Sequence, residues 1–402
     1  MDNIGVRVPH ILLPKQGVDL EKWAVVAVDQ YTSNAAYWQR LDKHIGQSPS
    51  TLRLVLPEIY LAEPDVQARI ETINRQMRDY LERGIFEPID GMIYIERTLS
   101  NSRVRKGLMV ELDLEQYDYS VGSKSLIRAT EGTILQRLPP RIRIREQASL
   151  ELPHILVLID DPKRTVIEPC SGGKILYDTP LNENGGYIKG FAVDGPQRVM
   201  AALEQLKIQS KDNLLYAMGD GNHSLATAKA CWEQLKAQGT PSDHPARYAL
   251  VELINLHDPA LVFEPIHRVL FNTSLEQLLT YARDNNIPIS KNGNGQTVQA
   301  LDQNGTHDLT LERPTSFLPV GSLQDLIDGY IKAHNAVVDY IHGEDEVLRL
   351  AEQGHLGFLL PAMDKNLLFS SVIADGALPR KTFSMGEANE KRYYMEARLI
   401  VK

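Results

Sequence analysis

Leu214-Leu215-Tyr216-Ala217-Met218-Gly219-Asp220-Gly221-Asn222-His223-Ser224-Leu225-Ala226-Thr227-Ala228-Lys229 runs from an apolar strand through a glycine-rich corner into a helix. Two glycines flanking Asp220 let the backbone turn sharply, and Asn222, His223 and Ser224 add N-capping oxygens and an imidazole. A helix reached in this way aims free N–H groups and a partial positive charge at the corner, where a phosphate or carboxylate can sit.

The same alternation recurs on both sides of the corner. Strands are expected at Trp23 to Val28 and Leu52 to Leu56, with a helix from Asn34 to His44 between them. A longer helix is expected from Asp65 to Arg83, where Val66, Ile70, Ile73, Met77, Tyr80 and Leu81 recur at three- and four-residue steps and Gly84 provides a stop. Met92 to Arg97, Gly107 to Leu112, His154 to Ile159 and Tyr248 to Ile254 read as further strands. Asn285 to Thr306 is rich in Asn, Gly and Gln, with an Asn304-Gly305 pair suited to a type I′ turn, and suggests a boundary. Beyond it, helices Ser322 to Asn335 and Glu344 to Gln353 alternate with strands Val337 to Ile341 and Leu356 to Leu360. The expected fold is α/β, a mixed sheet with flanking helices. Residues 1–284 would carry the corner, and residues 285–402 would form a smaller α/β subdomain contributing to the same cleft.

A chain of 402 residues with 43% hydrophobic and 24% charged residues supports a sizeable globular core. A net charge of −9 argues against non-specific nucleic-acid binding, which needs a concentrated cationic surface. Cys170 and Cys231 lack the spacing of a disulfide framework or a zinc finger. The segment Met1 to His10 lacks the basic start and apolar run of a secretory signal, and no apolar run reaches membrane-spanning length. A cytoplasmic protein without a membrane partner is the expectation.

In the functional reading of the corner, Asp220 or His223 serves as base or metal ligand and the helix amides bind an anion. The plain structural reading makes Asp220 or Asn222 a helix cap. Two-metal phosphoesterase chemistry is excluded, because no Asp-x-His opens the chain to supply the further ligands it needs. Asp160 and Asp161 end an apolar strand as weak Mg²⁺ candidates, with a polar turn before Pro162 as the rival reading. Glu264, His267 and Arg268 offer an acid, a proton carrier and an anion clamp within five residues. Arg128 stands in an arginine-rich stretch reaching Arg145, readable as a solvated face or as a clamp, and Lys381 is similarly ambiguous. Asp29 and Gln30 follow a strand's carboxyl end, where α/β sheets place ligands. Ser171-Gly172-Gly173-Lys174 lacks the Walker spacing and reads as a loop.

Taken together, Trp23 to Thr32, Leu126 to Thr133 (with Arg128 and Glu131), Gly219 to Ser224, Phe263 to Arg268 and Pro379 to Thr382 resemble a family known only as a domain of unknown function, DUF1015. Many of its members carry Asp-Gly-His-His-Arg where this chain has Asp220-Gly221-Asn222-His223-Ser224, so the first histidine and the arginine differ. That corner in turn resembles the turn of the ParB and sulfiredoxin superfamily, whose members bind nucleotides and include free-serine kinases. The resemblance implies an enzyme that binds a nucleotide or another phosphorylated small molecule and transfers phosphate to a small acceptor, with Mg²⁺ as an expected cofactor. Gly219, Gly221, Asn222 and Ser224 would hold phosphate, and Arg128, Arg268 and Lys381 would neutralise charge. Two alternatives stay open: a non-catalytic nucleotide or metabolite sensor, and a hydrolase in which Asp220 and His267 share acid/base work on a carboxylate- or amide-bearing metabolite.

Overall fold

A computed structural model describes residues 3–291 and 293–401; the start of the N-terminal segment and Asn292, within the expected boundary stretch, lie outside the described residues. The chain forms two compact units, residues 1–261 with 386–402, and residues 262–385.

The first unit is built on a mixed sheet. From one edge its strands run Ile175–Leu181, Gly186–Ala192, Ile93–Thr98, Val104–Asp113, Tyr248–Asn255, Leu156–Ile159, Tyr216–Asp220, Ile127–Arg128 and Tyr117–Asp118. From Ile175–Leu181 to Tyr248–Asn255 neighbours pair antiparallel, as do Leu156–Ile159 and Tyr216–Asp220, whereas Leu156–Ile159 lies parallel to Tyr248–Asn255 and Ile127–Arg128 lies parallel to both Tyr216–Asp220 and Tyr117–Asp118. Central strands such as Leu156–Ile159 are apolar throughout because both faces are covered. One face packs on Val110, Val157, Met218, Leu225 and Trp232, and the other on Trp23, Trp38, Ile73, Ile95 and Leu250.

The helix expected after Asp65 spans Val66–Glu82, and Gly84 follows it at φ +62°. The helix expected at Asn34 spans Ala35–Ile45, with Asn34 Oδ1 accepting from the Tyr37 N–H as its cap. The first two expected strands are a correction. Leu20–Trp23 is a short helix, Val26 makes only an isolated bridge with Tyr393, and Thr51–Arg53 is a 3₁₀ turn. These segments are apolar because they are buried, not because they belong to a ladder: the Ser50 and Thr51 hydroxyls donate to the Trp23 carbonyl and take the place of a strand neighbour.

The second unit has its own antiparallel sheet, ordered Ile289–Ser290, Gly305–Leu311, Gln296–Asp302, Leu356–Leu359, Glu264–Phe271 and Val337–His342. Helices Leu275–Asp284, Pro319–His334 and Glu344–Glu352 accompany it, so this unit is also α/β. The Asn285 to Thr306 stretch is therefore no linker. It contributes a hairpin to the interior of this unit, and the units divide at 261/262 and 385/386. Asp302 pairs with Gly305, so the tight turn is Gln303-Asn304, one residue earlier than expected; Asp302 Oδ1 accepts from the Asn304 N–H inside it.

Candidate functional site

In the first unit, the strand Tyr216–Asp220 passes into the helix Asn222–Ala237 through Gly221 alone, at φ +77°. A Cβ at Gly221 would lie 3.0 Å from the Ile155 Cα, so the turn needs glycine for both conformation and space. No side chain caps this helix. Asp220 turns back instead: its Oδ1 accepts from the Gly221 N–H at 2.9 Å, and its Oδ2 lies 3.2 Å from Lys391 Nζ. Burial pushes the Asp220 carboxyl up, but the Lys391 ammonium first, then the neighbouring His154 ring and the Gly221 N–H, more than offset this and hold it below the usual carboxylate range.

The loop after Ile127–Arg128 is laced to the corner. Thr130 Oγ1 donates to the Met218 carbonyl at 2.8 Å, Asn222 Nδ2 donates to the Glu131 carbonyl at 2.9 Å, and the Ile134 N–H donates to His223 Nε2 at 3.3 Å. The last of these puts the ring proton of His223 on Nδ1. Burial, then Arg141 and Arg137, lowers the His223 pKa to about 4, so the ring is neutral at pH 7 and offers an N–H donor. Asn222 Oδ1 and Thr133 Oγ1 are buried with no hydrogen-bond partner among the described residues.

On the other side of the helix start, Ser224 Oγ and His154 Nε2 are hydrogen-bonded at 3.0 Å, and His154 Nδ1 and the Tyr394 hydroxyl at 2.9 Å. The Val28 N–H donates to that same hydroxyl at 3.2 Å, which ties the segment before Asp29 to the relay. Asp29 Oδ2 stands 3.9 Å from His154 Nε2, while its Oδ1 accepts from Gln30 Nε2 at 2.9 Å. A cavity of about 150 Å³ opens beside this group, with Ser224, Thr227, His154, Tyr394 and Arg141 in its wall.

The corner, Glu131 through its carbonyl, and the Asp29-Gln30 segment are thus brought together within the first unit. Arg128 is not part of this group. Its buried guanidinium bonds the Ser125 carbonyl, the Asp212 carboxylate and the Asp212 carbonyl, near the start of the corner strand rather than its end. Asp161 is buried and accepts from the Thr165 and Val166 N–H groups at 2.6 and 2.9 Å, closing a loop, while Asp160 pairs with His257 at 2.7 Å. Among the described residues, no group of three or more His, Cys, Asp or Glu side chains converges as a metal site.

Glu264, His267, Arg268 and Lys381 belong to the second unit. Arg268 is fully buried there and donates to the Ile266, Lys381 and Arg380 carbonyls and to Gln324 Oε1. His267 Nδ1 accepts from the Leu360 N–H at 3.1 Å, and burial lowers the pKa of the ring. Glu264 begins the strand to which Phe383–Ser384 pairs. These contacts make Arg268 an organiser of its own unit's backbone.

His154, Lys391 and Tyr394 are functional candidates that sequence reasoning missed. His154 begins a segment that reads as a strand, and Lys391 and Tyr394 lie in a stretch assigned by position to the other unit. A Lys-Arg-Tyr-Tyr run spanning 391–394 was the one available signal.

An α/β architecture with a strand–glycine–helix corner at its centre defines the class. The chain belongs to the family described as "Protein of unknown function (DUF1015)", which it matches over residues 12–344. No curated protein matches the sequence. Among solved structures, the chain is similar to a free serine kinase in complex with AMP, at 10% identity and a TM-score of 0.41, covering 75% of this chain and 92% of that one. It is similar to a conserved hypothetical protein from Pyrococcus furiosus at 10% identity and a TM-score of 0.36, covering 73% and 92%. SbnI from Staphylococcus aureus, with a C-terminal truncation, matches at 11% identity and a TM-score of 0.38, covering 73% and 83%. Likenesses this distant have no bearing on activity. No helix among the described residues is long and apolar enough to cross a membrane.

Proposed function

We propose that the corner binds the phosphate of a nucleotide or another phosphorylated small molecule, and that the protein transfers phosphate to a small acceptor. The observation that carries this reading is the uncapped start of the helix Asn222–Ala237, which leaves its first amides to a ligand, beside the partnerless Asn222 Oδ1 and Thr133 Oγ1. Free helix amides attract anionic oxygens, and buried unpaired polar atoms are rare enough to mark a missing partner. A ligand with anionic oxygens and its own O–H or N–H donors satisfies both. Neutral His223 adds a donor, and Arg137 and Arg141, close enough to depress its pKa, add positive field. The resemblance of the corner to the ParB and sulfiredoxin turn points the same way.

In this reading Asp29, whose Oδ2 faces the relay, is the carboxylate that would accept the acceptor's proton or hold Mg²⁺ brought with the phosphates, since Mg²⁺ commonly takes only one or two protein carboxylates. Asp220, committed to Gly221 and Lys391, orients the corner.

The test is a calorimetric titration with ATP, ADP and CTP, each with and without Mg²⁺. Micromolar binding of one nucleotide, weakened at least tenfold by His223→Ala, is expected; absence of binding by all three would remove the nucleotide reading. One observation favours a hydrolytic reading, the Ser224–His154 pair. It predicts turnover of p-nitrophenyl acetate that Ser224→Ala abolishes.

A further inference from the structure

Small molecules bind preferentially in concave, largely apolar pockets that open to solvent. The cavity of about 150 Å³ has Leu54, Leu56, Met77, Ile144, Leu152 and Leu250 among its wall residues, and four of these six are buried. Its wall also contains Ser224, His154 and Tyr394, already joined in one hydrogen-bonded chain, and Arg141 paired with Glu58. A pocket of this volume has room for a group the size of a benzene ring.

We infer that this cavity takes a compact apolar group of about four to seven carbons carrying a hydroxyl, with the hydroxyl meeting the Ser224–His154–Tyr394 chain. The charged side chains in the wall, Arg141, Arg145, Glu58 and Glu151, are paired with one another, so the Leu, Ile and Met side chains are left for an apolar occupant. The polar group is in the right place for one hydroxyl: both ring nitrogens of His154 are taken by Ser224 and Tyr394, and Ser224 Oγ, which has capacity beyond its bond to His154, can meet it; Ser224 stands three residues past Gly221 on the helix Asn222–Ala237. The inference rests on the phosphate-transfer reading in one respect: there, this occupant is the acceptor, and its substrate class is a small apolar alcohol.

The probes are benzyl alcohol and toluene, titrated by calorimetry into the wild-type protein and into Ile144→Phe and Leu152→Phe, two half-buried wall positions where added bulk fills the void. Benzyl alcohol is expected to bind the wild type at least fivefold more tightly than toluene, and at least one of the filled variants is expected to lose tenfold or more while keeping its thermal midpoint. Along butanol, pentanol and hexanol, each added methylene should tighten binding roughly fourfold. Equal binding of toluene and benzyl alcohol, no binding of either, or benzyl alcohol binding untouched in both folded variants overturns the inference. The ATP titration is run on the same variants. ATP binding that survives in Ile144→Phe places the phosphate outside the cavity, whereas a wild type that binds benzyl alcohol but no nucleotide leaves the cavity assignment standing and removes the phosphate-transfer reading.

Discussion

Lys391 Nζ lies 3.2 Å from Asp220 Oδ2, so a residue from the returning end of the chain neutralises the one carboxylate set into the glycine corner. Without Lys391, the half-buried Asp220 carboxylate would stand uncompensated at the start of the helix Asn222–Ala237. With it, Asp220 stays ionised and fixes the Gly221 N–H.

Asp220 should therefore make stability fall in acid. Its folded pKa lies below its unfolded value, so its contribution is present above about pH 4 and is lost as pH falls through the folded pKa. Urea unfolding of the wild type and Asp220→Asn between pH 3 and 7 should show the variant with a flatter acid limb. Parallel pH profiles would remove the Lys391 pairing as the cause.

His223 acts with the opposite charge type in the same pH direction. Its folded pKa of about 4 is below that of an unfolded histidine, so the unfolded chain binds the extra proton between about pH 6.5 and 4 and stability declines as pH falls through that window. An NMR titration should show the His223 ring resonance unmoved from pH 8 to 5.5. A midpoint near 6.5 would contradict the buried, neutral donor.

Gly221→Ala should cost about 1–3 kcal/mol, because alanine at a positive φ is strained and its methyl meets the Ile155 Cα. Chemical denaturation measures this directly. A change under about 0.5 kcal/mol would mean that the turn relaxes freely.

Arg392 is buried between Glu252 at 2.8 Å and Glu396 at 2.6 Å, and also donates to the Pro153 carbonyl. Arg392→Met leaves two buried carboxylates facing an apolar side chain, so a loss of about 3–5 kcal/mol is expected in urea. The further substitution of Glu252→Gln in that background should recover part of it. A loss no greater than that of an exposed arginine would show that the return segment is not anchored there.

Much of the fold was legible because long helices and central strands carry their own period. Ile70, Ile73, Met77 and Tyr80 give the Val66–Glu82 helix, and Leu156–Ile159 is apolar because both of its faces are covered. Trp23 to Val28 misled for the same reason that it is informative: burial without a ladder gives the same apolar run as burial within one. At the site, Gly219 to Ser224 and Asp29 were visible because backbone turns and polar residues at strand ends have local signatures. Arg128 and Arg268 read in sequence as anion clamps, and in the structure each donates to backbone carbonyls, a role that carries the same sequence signal. His154, Lys391 and Tyr394 were hidden because their roles come from partners far along the chain.

The second unit interrupts the first in chain order, entering at residue 262 and leaving at 385. On a ribosome this imposes a schedule. The corner emerges first and then waits, for roughly ten to thirty seconds at ordinary elongation rates, until Lys391 and Tyr394 have been made. During that interval a nascent chain holds Asp220 without its cation and His154 without its tyrosine. A message cut short after residue 385 would thus yield a chain that carries the glycine corner but lacks the lysine and the tyrosine that meet Asp220 and His154, so the corner's surroundings are settled only after the inserted unit has been made.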